Sequence, residues 1–330
     1  MQLWYPRRER GLVQGLTHSA SRLGAAVAPP IVVLIIGGGH LALTGELGIF
    51  LPALGWRSVF YVCAIVGLLW ALWWYLSYRN LPEQHHRVND AELAVIRGVD
   101  GDGRTRTAAT ETKASVPWLT LLRSGNMWAI MLAYFTYIYC LGFFLTWLPS
   151  YLVEARHIDL THAGLLTSLP LFAGVVGDTA GGLATDWLLH RTNNTRLARR
   201  SVAITGLLGC AAFIVPAALT DDTYTAVACL TGAMFFLECT IGPSWAVPMD
   251  TSGTFSGTVS GLMNMFGNFG AAISPVAFAY LAQHFNWQVP FIVTAVLLVA
   301  GGAIWAFWLD PERSCVEKKA APEAALAAAA

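Results

Sequence analysis

The sequence predicts an all-α polytopic membrane protein, and three observations predict it. Hydrophobic residues make up 55% of the 330-residue chain. Charged residues make up 12%, about half the share of a soluble domain. The apolar residues also gather into long runs. A bilayer core of about 30 Å needs about 20 mostly apolar helical residues, because backbone groups left unpaired in hydrocarbon are too costly.

Eight segments have that length, at 11–36, 57–78, 125–150, 162–185, 201–219, 224–248, 255–282 and 288–309. The first follows Arg7, Arg8 and Arg10 and carries His18 and Arg22. The third places Tyr134 and Tyr137 on one face, and the fourth encloses Asp178. The sixth holds Glu238 near its middle, a Gly242-Pro243-Ser244-Trp245 break, and Asp250 beyond its end. In the seventh, Gly257 and Gly261 continue a four-residue spacing from Gly253 that permits close packing, and Asn264 and Asn268 share a face. Glycine and proline inside these runs are compatible with membrane helices.

Orientation follows from the basic residues. Seventeen of them, among them Arg7, Arg8, Arg10, Arg79, Arg123, Arg191, Arg199 and Arg313, fall on one side of the alternating spans, against Arg57 and Arg156 on the other. The expected arrangement is a multi-pass protein of the cell (inner) membrane with both termini cytoplasmic. Residues 79–123 form the one composition shift, a cytoplasmic loop in which Asn89 and Glu92 have capping-box spacing and Gly98 to Thr112 has linker composition. The expected organisation is residues 1–78 with two spans, the loop, residues 124–312 with six spans, and a cytoplasmic tail over 313–330. Transporters commonly pair two six-helix halves across such a loop, so about four helices are expected to be absent from the front.

Zero net charge gives no argument for nucleic acid as a partner, and none is expected. Five cysteines fall in apolar runs and Cys315 in the tail, with no C-x-x-C pair and no histidines at metal spacing, so neither metal nor cofactor is expected. No H-E-x-x-H or G-x-S-x-G and no paired intramembrane aspartates suggest an enzyme.

A series of short motifs runs through nearly the whole chain. It comprises Trp4-Tyr5-Pro6-Arg7-Arg8-Glu9-Arg10, Gly24, Pro29-Pro30, Gly55-Trp56-Arg57, Phe60-Tyr61 and Asn80-Leu81-Pro82-Glu83. After the loop come Trp147-Leu148-Pro149-Ser150-Tyr151-Leu152, Ser168-Leu169-Pro170, Gly242-Pro243-Ser244-Trp245 and Gly261-Leu262-Met263-Asn264 leading to Gly267-Asn268. In that order they resemble the major facilitator superfamily, and within it the anion:cation symporter family of hexonate, hexuronate and tartrate transporters. The resemblance implies that the eight spans correspond to helices five to twelve of a twelve-helix fold, in an N-terminally truncated chain. It implies symport of a small organic anion with a proton or cation, by a monomer in the lipid bilayer. The alternatives are a truncated non-transporting remnant or a transporter of the same superfamily with a different substrate class. Gly182-Leu183-Ala184-Thr185-Asp186 through Arg191 is similar to the superfamily's gating loop between helices eight and nine. Ser244, Trp245 and Asn264 are implied to line the substrate site. Ser21 stands where the family has a glutamine on helix five, and the family's functional residues on helices one and four have no positions here.

Ionisable residues inside spans are functional candidates by default. Arg22 either anchors a substrate carboxylate through its planar fork or snorkels to the cytoplasm. The dozen residues from Arg10 amount to about 18 Å of helix, which favours binding. Glu238 is either a proton carrier or a hydrogen-bonded structural carboxyl. Asp178, two turns before Asp186, is a second proton-coupling candidate, with pairing to loop arginines the simpler reading. Tyr137 and Asn268 complete the substrate-binding candidates alongside Arg22, Ser21, Ser244, Trp245 and Asn264.

Overall fold

The structure is a computed structural model that describes residues 3–37, 39–42, 48–51, 54–97, 115–158 and 160–316. Its long helices are α1 (Arg10–Gly37) and α2 (Trp56–Ser77), followed by two short ones, α3 (Asp90–Arg97) and α4 (Trp118–Arg123). Then come α5 (Gly125–Ala155), α6 (Leu160–Thr192), α7 (Thr195–Leu219), α8 (Thr223–Glu238), α9 (Ile241–Thr251), α10 (Ser256–His284) and α11 (Gln288–Ala303). The last continues as a π-helical turn to Trp308.

Each of the eight expected spans is helical, with α8 and α9 together forming the sixth. Among the described residues, six helices are long and apolar enough to cross a membrane. These are Trp56–Ser77, Gly125–Ala155, Thr195–Leu219, Thr223–Thr251, Gly253–His284 and Gln288–Trp308. The other two expected spans are α1 and α6, which carry Gln14, His18 and Arg22, and His162, Asp178 and Asp186.

Two expectations need correction. The connection after α1 holds a short antiparallel hairpin, β1 (Gly39–Ala42) with β2 (Gly48–Leu51), pairing His40 with Phe50 and Leu41 with Ile49. These four-residue runs are too short for a stable helix, and an all-α reading could not register them. Second, residues 182–191 are not a loop. Helix α6 continues through them because Thr185 to His190 contains nothing that stops a helix. It ends only at Asn193, which takes the left-handed conformation (φ 51°). Asn194 then caps α7 by accepting the Leu197 N–H at 2.8 Å. The linker Gly98 to Thr112 lies outside the described residues. Asn89, ahead of it, does cap α3, accepting the Glu92 N–H at 2.8 Å.

The chain divides into two compact units, residues Met1–Ala20 with Thr107–Ala330, and Ser21–Arg106. In the first, α5 packs on α10, α6 and α7 both pack on α8, and α11 packs on α7. Met127, Met131, Cys140, Phe143, Leu207, Cys210, Met234, Phe278, Phe291 and Trp305 form its core. The ends are stitched by polar side chains. Arg156 donates to the carbonyls of Ala217 and Asp221 at 3.1 Å each, placing a cation at the C-terminus of α7. Buried Asn126 donates to the carbonyls of Asp310 and Arg313 and accepts the Asp310 N–H, all within 2.9 Å. Cys315, at the start of the expected tail, is buried, with its N–H bonded to the Thr251 carbonyl at 3.1 Å. In the second unit, α2 is apolar around its whole circumference and has no buried residue.

Candidate functional site

Two polar assemblies lie inside the first unit. One is a ladder between α5 and the α8–α9 pair. Tyr134 and Tyr137 are three residues apart and so project from one face of α5. Glu238 and Trp245 are seven apart and share a face across the break at Cys239–Thr240. The two faces meet rung by rung. The Tyr137 hydroxyl donates to Glu238 Oε2 at 2.5 Å, and Trp245 Nε1–H donates to the Tyr134 hydroxyl at 3.1 Å. The tyrosine rings stack at 5.4 Å, and His18 lies against the Trp245 ring at 5.3 Å. Tyr137 and Glu238 are essentially without solvent exposure. Ser244 is buried and turned back on its own helix, its hydroxyl donating to the Thr240 carbonyl. A void of about 10 Å³ beside Tyr134, Ser244 and Met263 is on the order of one water molecule, far below an organic anion.

The other assembly is a charge cluster where α1, α6, α7 and α9 converge. Asp186 accepts the N–H groups of Gly11 and Leu12 at 3.2 and 2.6 Å. Those are orphan donors of the first turn of α1, and the carboxylate also meets the positive end of that helix. Arg199 reaches Asp186 at 2.8 Å with Nη1 and Asp250 at 3.3 Å with Nε. Arg10 reaches Asp250 at 2.9 Å and the Met249 carbonyl at 3.2 Å. Two arginines and two aspartates are thus buried as a neutral set. Such a set is tolerated in the interior only with its hydrogen bonds made. The helices come this close through glycine: a Cβ on Gly182 would stand 2.6 Å from the Gly11 carbonyl oxygen, and one on Gly242 2.9 Å from Gly182 Cα.

The expected site residues distribute unevenly. Tyr137, Ser244, Trp245 and Glu238 come together in the ladder. Asn264 and Asn268 are exposed on α10, with Asn268 donating to the Asn264 carbonyl. Ser21 and Arg22 belong to the second unit, Ser21 exposed and Arg22 partly so. Asp178 is fully buried on α6. Of the expected gating residues, Gly182 and Asp186 are in the charge cluster. Arg191 instead lies over the Trp187 ring at 5.0 Å. Arg199, which pairs with Asp186, and Arg10 and Asp250, which complete the cluster, were not among the expected site residues. The available signal was that all three are charges at the ends of spans.

The profile of the Major Facilitator Superfamily matches residues 1–275 and 195–329. The chain is 40% identical over 309 residues to a probable sulfoacetate transporter of Cupriavidus necator, an alignment covering 93% of this chain and 66% of that protein. It is 30% identical to a probable galactarate/D-glucarate transporter of Bacillus subtilis, over 88% of this chain and 61% of that one. It is 29% identical to a hexuronate transporter of the same bacterium, over 92% and 65%. The chain thus spans less than two thirds of the length of these relatives. Its fold is similar to the crystal structure of FucP, a transporter in an outward conformation, with a TM-score of 0.61 at 14% identity, covering 93% of this chain and 70% of that one.

Proposed function

This chain belongs to the Major Facilitator Superfamily, a family of transporters rather than enzymes, and from that premise we propose that it moves small organic anions across the cell (inner) membrane. The observation that carries the reading is the 40% identity, along 93% of the chain, to a probable sulfoacetate transporter. The other relatives are transporters of sugar acids, and sulfoacetate and sugar acids share small size and fixed negative charge. A symporter driven by a proton or cation gradient, alternating access around a central site as a monomer, with both termini cytoplasmic, completes the reading.

In this reading Arg22 supplies the planar fork that pairs with a carboxylate or sulfonate. Ser21, Tyr137, Ser244, Trp245, Asn264 and Asn268 supply neutral donors and an aromatic wall. The gate is the charge cluster: with Gly182 and Asp186 seated on the start of α1, that approach is closed, and opening requires Asp186 to give up the Gly11 and Leu12 N–H groups. Arg191 flanks this gate. Glu238 and Asp178 are the candidates for proton coupling.

The test is uptake by proteoliposomes of the purified protein, with radiolabelled sulfoacetate, D-glucarate and galacturonate as probes and uncharged galactose as control. Saturable uptake of at least one anion, with none of galactose, is the expected result. Uptake of galactose alone, or of nothing, would defeat the reading.

A further inference from the structure

Helices α6 and α7 each reach α8 through glycine. A Cβ on Gly181 would collide with the Cys239 carbonyl at the end of α8, and one on Gly206 would stand 2.8 Å from the Phe236 carbonyl oxygen. Seated separately on α8, the two helices leave a groove of about 270 Å³ between them. Its walls are Ala180 and Ala184 on one side and Ser201 and Thr205 on the other, and its floor is Phe235 and Phe236. No charged side chain lines it. The groove opens outward, because Ala184 and Thr205 are exposed, and its rim is apolar, with Leu183 and Leu208 exposed beside them. Helix α7 is among those long and apolar enough to cross a membrane, so the opening faces hydrocarbon.

The wall of α6 continues past the groove into a different chemistry. Ala180, Ala184, Trp187 and Arg191 follow one another at spacings of four, three and four, which places them on one face of the helix. Trp187 is exposed, and the Arg191 guanidinium lies over its ring, 5.0 Å from the centroid. Arg191 is about 10 Å along the helix from Ala184. Arg8 donates to Asn193 Oδ1 at 2.6 Å, so a second cation stands at this end of α6. An apolar slot leading to an indole and two cations matches a phospholipid in profile, with the chain below, the ring at the interface and the charge at the headgroup.

We propose that the α6–α7 groove binds one acyl chain of an anionic phospholipid, whose phosphodiester is held by Arg191. The guanidinium can keep its face on Trp187 while its edge donates to two phosphate oxygens. The volume is about nine times the share of one water in the liquid, room for a run of methylenes. It does not admit a helix of a second copy. A helix is about 10 Å across even at its narrowest, so 270 Å³ would hold only about two residues of one. A small organic anion does not suit the groove either, since the cations are at its end and none is within it. Lipid binding here is independent of which anion the protein carries.

Native mass spectrometry of the full chain in detergent, titrated with phosphatidylglycerol or with phosphatidylcholine of the same chains, tests this. Wild type should take up one phosphatidylglycerol ahead of further lipids, about tenfold or more tighter than phosphatidylcholine, as two cations at a membrane surface allow. Arg191→Gln should cut that preference about fivefold, the weight of one cation. Ala184→Phe and Thr205→Phe each set a ring into the groove from an exposed position, and each should remove the tightly bound lipid. Thermal unfolding supplies a measurement that needs no variant. Phosphatidylglycerol should raise the melting temperature of delipidated wild type more than phosphatidylcholine does, because a ligand of the folded state stabilises it. Equal affinity for the two lipids, or equal melting temperatures, overturns the headgroup site, as does a preference unaltered in Arg191→Gln. A tight lipid retained in either groove variant overturns the acyl-chain site.

Discussion

Arg199 and Asp186 meet at 2.8 Å with the arginine side chain fully buried, and the same guanidinium also reaches Asp250 at 3.3 Å. One cation therefore holds α6 and α9 together from α7. Removing it leaves two buried carboxylates with Arg10 alone to balance them. Arg199→Ala should lower stability by about 3–5 kcal/mol, the usual cost of stripping one partner from a buried pair. Thermal unfolding of the detergent-purified variant measures this. A melting temperature within error of wild type would show that the cluster is solvated in the membrane.

Gly182 is a geometric requirement of the same cluster. A methyl group there would stand 2.6 Å from the Gly11 carbonyl oxygen and 3.0 Å from Leu12 Cα. Both are backbone atoms, which cannot swing aside. Gly182→Ala should push the start of α1 off α6, lengthen the Asp186 contacts to Gly11 and Leu12, and cost about 1–3 kcal/mol. Faster maleimide labelling of a cysteine at position 12 would report the loosened contact. Labelling as slow as in the parent would mean that the helices are not held this close.

The helix pattern was legible because hydropathy is a local signal. The span expected at 288–309 forms Gln288–Trp308, and that expected at 57–78 forms Trp56–Ser77. Where α6 outruns its expected end, the extra turns from Asp186 to Thr192 mix Asp186, His190 and Arg191 with Trp187, Leu188 and Leu189 and so do not extend the apolar run. The partnerships were not legible. The motif that carries Asp186 ends at Arg191, but the cation of Asp186 is Arg199, thirteen residues on and across the Asn193–Asn194 turn. Tyr137 and Glu238 are 101 residues apart in sequence, and only the crossing of their helices brings them together. Helix crossings depend on the shapes of many side chains at once and leave no spacing for a sequence to display.

Asp310, just beyond the last helix, gives a pH-dependent prediction. Burial opposes its ionisation, but the Glu312 N–H and the Arg196 guanidinium outweigh this and hold its carboxyl below the ordinary value of 3.8. A depressed folded-state value means that the stabilisation is present above about pH 4 and is lost as pH falls further. Arg196 is 49% exposed, so solvent screening keeps the effect under about 1 kcal/mol. Asp310→Asn should unfold slightly earlier than wild type at pH 7, and the difference should close as pH falls through the lowered folded-state value. A gap that does not narrow as pH falls would assign the effect to the hydrogen bond that the Asp310 side chain accepts from the Glu312 N–H rather than to charge.

Arg22 separates the anion reading from a structural one. If its fork pairs with two oxygens of a carboxylate or sulfonate, Arg22→Lys keeps the charge but loses one of two charge-assisted hydrogen bonds. Each such bond contributes about 1.5–3 kcal/mol, so sulfoacetate should bind about tenfold or more weakly, and Arg22→Ala more weakly still. A snorkelling arginine behaves otherwise. Lysine also carries a long apolar stem with a charged head that reaches the interface, so the exchange would be nearly silent. Isothermal titration of sulfoacetate into wild type and both variants distinguishes the cases. An Arg22→Lys affinity equal to wild type would remove Arg22 from the substrate site and leave anion recognition to the neutral donors Ser21, Tyr137, Ser244, Asn264 and Asn268. The affinity should then depend little on the charge of the ligand, which uncharged acetamide as a competitor against sulfoacetate would reveal.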